Sequence, residues 1–290
     1  MKQFIQGALG KVNLTASRRR PYLSRRYPYR GGSSMRAALG PDLSQSVVWP
    51  AVDAQPVGAL AAVFSQSPGL HKWVHYLPVY EGLIDRSRPL RMLEIGVFQG
   101  GSLAMWRGYL DPGSVIVGVD IDPGCKQFDD PGRQIHVRIG GQQDRDFLVS
   151  VVNEFGPFDV IIDDGSHMTS HMVESFRQLF ATALVDGGLY IAEDVHSNYW
   201  TSHRDSSLSF VDFTAALIDA MHAHYHSATG EKNFRIGHPD RFSNVSVPKV
   251  TPMLGSIEIH DSMFVVRKAA RTLPHTVYVS SPDSRVRPLL

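Results

Sequence analysis

Apolar runs that suit buried strands alternate with helix-like segments over residues 90–193. The strand candidates are Leu90–Ile95, Val115–Asp120, Ile135–Ile139, Phe158–Asp163 and Gly188–Glu193. The helix candidates between them are Ser102–Leu110, Arg145–Phe155 and His171–Leu184. Strands separated by such helices predict a mostly parallel sheet with helices on both faces, because parallel neighbours need long crossover connections. Right-handed crossovers place the carboxyl ends of these strands on one edge of the sheet.

The segments on either side of this alternation complete the predicted fold. Helices are expected at Ala59–Phe64, His71–Ile84 and Phe210–Tyr225, and a loop-rich stretch is expected over 226–255. Two apolar runs, Ser256–His260 and Met263–Lys268, are separated by a short turn. This pattern predicts an antiparallel hairpin. The expected class is therefore α/β, a Rossmann-like doubly wound, mostly parallel seven-stranded sheet with an antiparallel C-terminal hairpin.

Charge divides the chain into two unequal parts. Residues 1–40 contain nine Lys and Arg and no Asp or Glu, which leaves 20 Lys and Arg against 28 Asp and Glu in the remainder. The basic segment lacks apolar periodicity, so we expect a flexible arm. We divide the chain into this arm, a helical lead-in over 41–88, a core over 89–270 and a tail over 271–290.

The basic arm is compatible with several roles. A solvated tail and a contact with nucleic acid, an anionic membrane surface or an anionic glycan all fit its charge. Its Arg-rich, acid-free composition also resembles an organellar transit peptide. A native start at Met35 would give the same appearance.

Composition narrows the compartment and the partners. The chain has no apolar run of about 20 residues, so no transmembrane helix is expected. The first residues lack the apolar stretch of a secretory signal, and a single Cys125 cannot form an internal disulfide. These features favour a cytoplasmic protein. The acidic core argues against a nucleic-acid partner, and a homo-oligomer is compatible with these features.

Two acidic clusters follow neighbouring strand candidates. The first is Asp163-Asp164-Gly165-Ser166-His167, and the second is Glu193-Asp194. Open α/β sheets bind their ligands at the carboxyl ends of the strands. Carboxylates gathered at that edge repel one another unless a cation lies between them. The clusters therefore predict a hard divalent cation beside a histidine that acts as a general base.

A glycine-rich loop follows the first strand and opens a helix. Gly96 allows the backbone to approach a ligand closely, and the helix N-terminus offers free N–H groups. Asp120 ends the second strand, where an acid binds ribose hydroxyls in nucleotide folds. The spacing differs from G-x-G-x-x-G, and Glu94 would repel a pyrophosphate. The loop therefore favours the cationic S-adenosylmethionine as its ligand. The adenine of this cofactor would lie near the turn that contains Gln143. An ordinary polar turn without a ligand contact is the alternative for that turn.

These motifs together resemble a known family. The segments concerned are Leu93–Ser102 with Trp106, Gly118–Asp122, Ile162–His167 and Glu193-Asp194. They resemble class I S-adenosylmethionine-dependent methyltransferases. More narrowly, they resemble the metal-dependent sugar O-methyltransferases of the macrocin and mycinamicin type, with relatives that act on mycobacterial polysaccharides.

The resemblance implies a set of site residues. His167 would be the catalytic base. Mg²⁺, with Mn²⁺ as a substitute, would be bound by Asp164, Glu193 and Asp194. The cofactor would be contacted by Glu94, Gly96 and Asp120, and its site is expected to extend to Gly101, Ser102, Gln143, Asp163 and Tyr76. For Asp163, structural support of its loop is the alternative.

The expected activity is Mg²⁺-dependent transfer of the methyl group of S-adenosylmethionine to a hydroxyl of a sugar, glycoside or oligosaccharide. A coordinated hydroxyl loses its proton more readily, and a histidine can accept it. A small phenolic or catechol-like acceptor is the alternative substrate. A non-methylating relative that binds the same cofactor is the alternative from another class.

Further polar residues carry weaker signals. The loop of His196, Asn198, Tyr199 and Trp200 suits either a sugar ring or the packing of a lid. His171 is expected to be a face residue or a substrate contact. The cluster of His222, His224 and His226 is expected to be a solvated helix end.

Overall fold

The computed structural model describes residues 33–51, 55–227 and 245–274. It contains two compact units, Met1–Ala51 and Val52–Leu290. The described part of the first unit holds helix α1, Ser33–Leu43, which is kinked at Gly40. The predicted arm lies mostly outside the described residues, as does most of the predicted tail, and the three predicted domain boundaries stay predictions.

The second unit is built on one seven-stranded sheet, as the sequence predicts. Its strands are β1 (Arg91–Ile95), β2 (Val115–Asp120), β3 (Ile135–Ile139), β4 (Phe158–Asp163), β5 (Leu184–Ala192), β6 (Leu254–His260) and β7 (Met263–Lys268). They lie in the order β3-β2-β1-β4-β5-β7-β6. The first five strands are parallel, and β7 runs antiparallel to both of its neighbours. The strand order reverses between β1 and β4, which is where doubly wound sheets bind ligands.

Helices cover this sheet. They are α2 (Ala59–Phe64), α3 (Tyr76–Leu83), α4 (Gly101–Tyr109), α5 (Arg145–Phe155), α6 (Thr169–Leu179), α7 (Phe210–Met221) and α8 (Ala223–Ser227). Short 3₁₀ helices follow β2, β5 and α8, at Pro123–Phe128, Pro131–Arg133, Val195–Tyr199, Thr201–His203 and Thr251–Met253. In the described residues, no helix combines the length and apolar character that a membrane span requires.

Several element boundaries differ from the sequence prediction, among them the start of β5 at Leu184 and not at Gly188. The helix expected at His71 begins only at Tyr76, so residues 71–75 form an irregular segment before it. The helix after β4 ends at Leu179, because Leu184 already pairs with Phe158 in the sheet. Lys268 then donates to the carbonyl of Leu184 at 2.6 Å and to that of Ala181 at 2.9 Å. The long helix expected over Phe210–Tyr225 is interrupted at His222.

Side chains alternate along each strand between two hydrophobic cores. In β1, Met92 belongs to the core that contains α3, and Leu93 belongs to the core that contains α6. The same alternation assigns Ile162 to the first core and Ile161 to the second. Successive side chains of a strand point to opposite faces. Glu94 therefore lies on the α3 face of the sheet, together with Met92.

The turn of the C-terminal hairpin reaches the edge where the parallel strands end. Its backbone carbonyl at Ser262 accepts from the N–H of Val195 at 3.0 Å and from the hydroxyl of Tyr76 at 3.2 Å. The carbonyl of Asp261 lies 3.0 Å from Nε2 of His75. The hairpin turn is therefore hydrogen-bonded both to the loop after β5 and to the residues at the start of α3.

Gly101 tests how tightly the segment before α3 is packed. A Cβ at Gly101 would lie 2.7 Å from backbone atoms of Pro68, Gly69 and Leu70. Gly101→Ala should therefore lower the free energy of unfolding by about 1–3 kcal/mol, the usual cost of overpacking. Chemical denaturation measures this change.

Gly82→Ala is the matched control, because a Cβ there meets nothing within 4 Å. In helix α3 this change should raise stability by up to about 1 kcal/mol. Equal stability of the two variants would contradict the close approach at Gly101.

Candidate active site

Backbone pairing brings the two acidic clusters together. Ile95 of β1 lies opposite Asp163 of β4, which lies opposite Ala192 of β5. The pairing continues for one more residue, since the N–H of Asp164 donates to Ile95 at 2.9 Å and that of Glu193 donates to Asp163 at 2.9 Å. The residues after β4 and β5 are thus fixed side by side at the edge of the sheet.

Three partly exposed side chains form a candidate metal site. Asp164, His167 and Asp194 each offer a ligand atom, and these atoms lie within 4.8 Å of one another. Nε2 of His167 is 3.8 Å from Oδ1 of Asp164 and 3.9 Å from Oδ2 of Asp194. Its Nδ1 is buried and has no hydrogen-bond partner among the described residues. The arrangement therefore brings together two carboxylates and one imidazole, all three of which can bind a metal ion.

The backbone at this site is strained. His167 has φ 55° and Asp194 has φ 50°, values that residues other than glycine rarely adopt. Ser197 donates to the carbonyl of His167 at 3.2 Å, and the hydroxyl of Tyr76 donates to Oδ1 of Asp194 at 2.8 Å. Surrounding hydrogen bonds hold such conformations in place, and strain of this kind clusters at functional sites.

Lys72 lies at the centre of the buried acids, which the sequence analysis did not anticipate. Its Nζ donates to Asp164 Oδ2 at 2.8 Å and to the two oxygens of Glu193 at 2.8 and 2.9 Å. It also lies 3.7 Å from Oε1 of Glu94. Burial alone would lower the pKa of Lys72, but the three carboxylates raise it well above its usual value. Lys72 therefore supplies the positive charge inside the acid cluster.

Glu193 is held by this network and not by the candidate metal group. Its side chain is 1% exposed, and its Oε1 also accepts from the hydroxyl of Tyr80. Burial, followed by repulsion from Asp164, raises the pKa of Glu193 to about 8, while Lys72 opposes the shift. One ammonium balances only part of the charge of three acids. Glu193 as a metal ligand stays a prediction.

Two further buried acids have supporting contacts. Ser102 donates to Oε2 of Glu94 at 2.8 Å, and burial raises the pKa of Glu94 to about 7. Asp163 accepts from Tyr190 at 2.9 Å and from Gln142 at 3.0 Å, and burial raises its pKa to about 6. Gln142 in turn accepts from the N–H of Ser166 at 2.7 Å. Asp163 thus orders the turn that carries the first acidic cluster.

A cleft of about 290 Å³ opens beside Asp164 at the point where the strand order reverses. It is lined by Ile95, Gly96, Phe98, Val119, Asp120, Ile121, Asp122, Cys125, Gly140, Gly141, Gln142, Gln143, Asp164, Gly165, Ser166 and His171. Gly96 has φ 99°, and a Cβ there would lie 2.1 Å from the carbonyl oxygen of Asp164. Only glycine fits this position. The cleft is near the size of a small-molecule site, about 300 Å³ at the lower end.

Asp120 is positioned at the floor of the cleft by the glycine-rich loop. Its Oδ2 accepts from the N–H groups of Val97 at 2.8 Å and of Phe98 at 3.0 Å. Burial alone would raise the pKa of Asp120, but the backbone donors, including that of Asp122, hold it below its usual value. The carboxylate is therefore ionised and can accept further hydrogen bonds.

The structure divides the predicted cofactor residues into two groups. Gly96, Asp120 and Gln143 line the cleft, whereas Glu94, Gly101, Ser102, Asp163 and Tyr76 are not among its lining residues. In the second group, Gly101 packs against residues 68–70 and Tyr76 contacts Asp194. Their roles as cofactor contacts stay predictions.

The structure also shows where the polar residues with weaker sequence signals lie. His171 lines the cleft, and its Nδ1 lies 2.8 Å from Oγ of Ser166. Asn198 is fully buried and accepts from the N–H of Phe210 at the start of α7, so it connects two elements. Tyr199 and Trp200 are half exposed. His222 is exposed at a helix end, and His224 is buried.

Known proteins are similar to this chain in sequence. A Streptomyces olivaceus enzyme, 8-demethyl-8-alpha-L-rhamnosyl tetracenomycin-C 2'-O-methyltransferase, is 32% identical over 238 residues, which are 77% of this chain and 58% of that protein. A second one, 8-demethyl-8-(2-methoxy-alpha-L-rhamnosyl)-tetracenomycin-C 3'-O-methyltransferase, is 37% identical over 182 residues, 57% of this chain and 45% of that protein. The chain is a homologue of sugar O-methyltransferases.

A solved structure supports the same relationship. It is the MycE methyltransferase from the mycinamycin biosynthetic pathway in complex with Mg and SAH, with a TM-score of 0.62 and 27% identity over 74% of this chain and 56% of that one. The fold is that of the class I methyltransferases, as the sequence predicts. The chain spans about half the length of the relatives named here. No protein-family model matches it.

Sequence reasoning missed Lys72 and the role of Tyr80. Both occur in a run of aromatic and apolar residues that was interpreted as a continuous helix. A single Lys in such a run, with no acid nearby in the sequence, is a signal for a buried cation with distant partners. The partners themselves come from three different strands.

Lys72→Met should destabilise the protein strongly, because it leaves the buried Glu94 and Glu193 and the partly exposed Asp164 without their cation. Removal of one partner from a buried ion pair costs about 3–5 kcal/mol. Chemical denaturation of the full chain measures the loss.

Lys249→Met removes the same charge from an exposed position and should change stability by less than about 0.5 kcal/mol. A Lys72→Met variant as stable as this control would show that the carboxylates do not depend on the ammonium.

Proposed function

We propose that the chain is an O-methyltransferase that transfers the methyl group of S-adenosylmethionine to a hydroxyl of a sugar in a glycoside. One observation carries this proposal: Asp164 borders the cleft and also belongs to the group of Asp164, His167 and Asp194. A methyl donor in the cleft would therefore lie next to the residues that activate the acceptor. The names of the relatives, which are rhamnosyl O-methyltransferases, agree with this arrangement.

The cleft fits S-adenosylmethionine. Asp120 offers a carboxylate at the position that binds ribose hydroxyls in nucleotide folds. Gly96 lets the backbone approach a ligand without steric hindrance. The neighbouring acids of the cluster favour a cationic ligand over a pyrophosphate. When bound, the cofactor supplies an electrophilic methyl group.

The acid group fits a divalent cation of the Mg²⁺ type. Asp164 and Asp194 would hold it with carboxylate oxygens, which such ions prefer. Lys72 and Tyr80 engage Glu193, the third ligand expected from the sequence. When bound, the ion makes an acceptor hydroxyl more acidic.

The chain's own residues perform the remaining steps. His167 lies at the mouth of the acid group, where its imidazole can take the proton of the acceptor hydroxyl. Lys72 keeps Asp164 in a fixed position between the two ligand sites. Held close together, donor and acceptor react faster, because the entropy of their encounter has already been lost.

Turnover of a glycoside with S-adenosylmethionine should stop with EDTA and return with Mg²⁺. Formation of S-adenosylhomocysteine from methyl α-L-rhamnopyranoside measures this, and catechol serves as the alternative acceptor. Methylation of catechol alone would identify the phenolic activity instead. Cofactor binding without turnover of any acceptor would indicate a non-methylating protein.

His167→Ala should lower kcat by about 10²–10⁴-fold, the usual contribution of a general base. Cofactor affinity should not change, because His167 does not line the cleft. His222→Ala, at an exposed histidine of a helix end, is the control and should have wild-type activity. A fully active His167→Ala variant would remove the base assignment.

Asp120→Asn should weaken the binding of S-adenosylhomocysteine by about tenfold or more, since a hydrogen bond to a charged group contributes about 1.5–3 kcal/mol. Isothermal titration calorimetry measures the affinity. Asp186→Asn makes the same change at an exposed position and should bind normally. Unchanged affinity at Asp120 would argue against its contact with the ribose.

A further inference from the structure

Two large aromatic side chains are exposed next to the candidate active site. Trp73 is 49% exposed and Trp200 is 51% exposed, although side chains of this size are usually mostly buried. The ring of His196 lies between them, 5.8 Å from Trp73 and 4.7 Å from Trp200, with edge-to-face geometry in both pairs. We call Trp73, His196 and Trp200 the aromatic strip.

The aromatic strip leads to the proposed base. The rings of Trp200 and His203 are 5.5 Å apart, and the rings of His203 and His167 are 6.5 Å apart. A series of ring contacts therefore connects Trp200 to His167 through His203. The strip is continuous with the site where a hydroxyl would react.

The turn of the C-terminal hairpin hydrogen-bonds to His196 and to His75, which neighbours Trp73. His75 contacts the carbonyl of Asp261 at 3.0 Å, and its ring lies 5.9 Å from that of Trp73. In the middle of the strip, the ring and the backbone N–H of His196 both hydrogen-bond to Oγ of Ser262. The central ring of the strip, that of His196, is therefore held in place before a ligand binds, which lowers the entropic cost of binding.

We propose that the aromatic strip is the stacking platform for the acceptor, and that its occupant is a pyranose ring. The apolar face of a pyranose presents C–H groups that suit the negative face of an aromatic ring. The imidazoles of His196 and His203 offer hydrogen bonds to the hydroxyls at the edge of such a ring. This inference rests on the proposed function and names the residues that select its substrate class.

The test uses direct binding as well as turnover. The variants are Trp73→Leu and Trp200→Leu, with the same change at Trp49, which is 89% exposed and belongs to the other compact unit, as the control. Saturation-transfer NMR measures binding of methyl α-L-rhamnopyranoside in the presence of S-adenosylhomocysteine and Mg²⁺. Loss of either ring of the strip should weaken binding and raise KM by about three- to tenfold, with little change in kcat. Trp49→Leu should behave as wild type, and Trp200→Phe should recover part of the loss.

Each outcome decides between the two proposals. Wild-type KM values in Trp73→Leu and Trp200→Leu would overturn the platform and leave the proposed function intact. Glycoside binding that weakens in both variants, without turnover in the wild type, would support the platform and count against the function. No glycoside binding to the wild type, or a loss confined to catechol, would overturn the platform.

Discussion

The ammonium of Lys72 is the interaction on which the rest of the site depends. It lies within 3.7 Å of carboxylate oxygens from the ends of three neighbouring strands, at Glu94, Asp164 and Glu193. Buried acids at such short range would repel one another and take up protons. The ammonium opposes this uptake at Glu94 and Glu193, where burial still raises the pKa to about 7 and about 8. It also holds Asp164, which borders the cleft and belongs to the candidate metal group.

The position of Lys72 follows from close packing elsewhere. The segment before α3 is irregular, and residues 68–70, which directly precede it, pack against Gly101, where no side chain would fit. The turn of the C-terminal hairpin holds the same segment through His75 and Tyr76. Residues far apart in the chain therefore cooperate to place one ammonium, and the same hairpin turn also orients the aromatic strip.

Strand alternation explains why neighbouring acids have different roles. Ile162 lies on the α3 face of the sheet and Asp163 on the opposite face, so Asp164 returns to the face where Lys72 lies. Asp163 instead meets Tyr190 and Gln142. Asp163 thus supports a loop, whereas Asp164 borders the ligand site. The two roles differ because successive side chains of a strand point to opposite faces of the sheet.

The sequence by itself determined the order of strands and helices, the seven-stranded sheet and the edge at which the acids gather. These features follow from local periodicity and from the handedness of crossovers. Sequence patterns also singled out Gly96, Asp120, Asp164 and His167, because each stands at the end of a strand or in the loop that follows it. Only the tertiary structure decided which groups pair with them. The contact of Lys72 with Glu193 and that of Trp73 with His196 join residues separated by much of the chain, and no local pattern records them. Electrostatic and packing energies that depend on three-dimensional distance selected these partners.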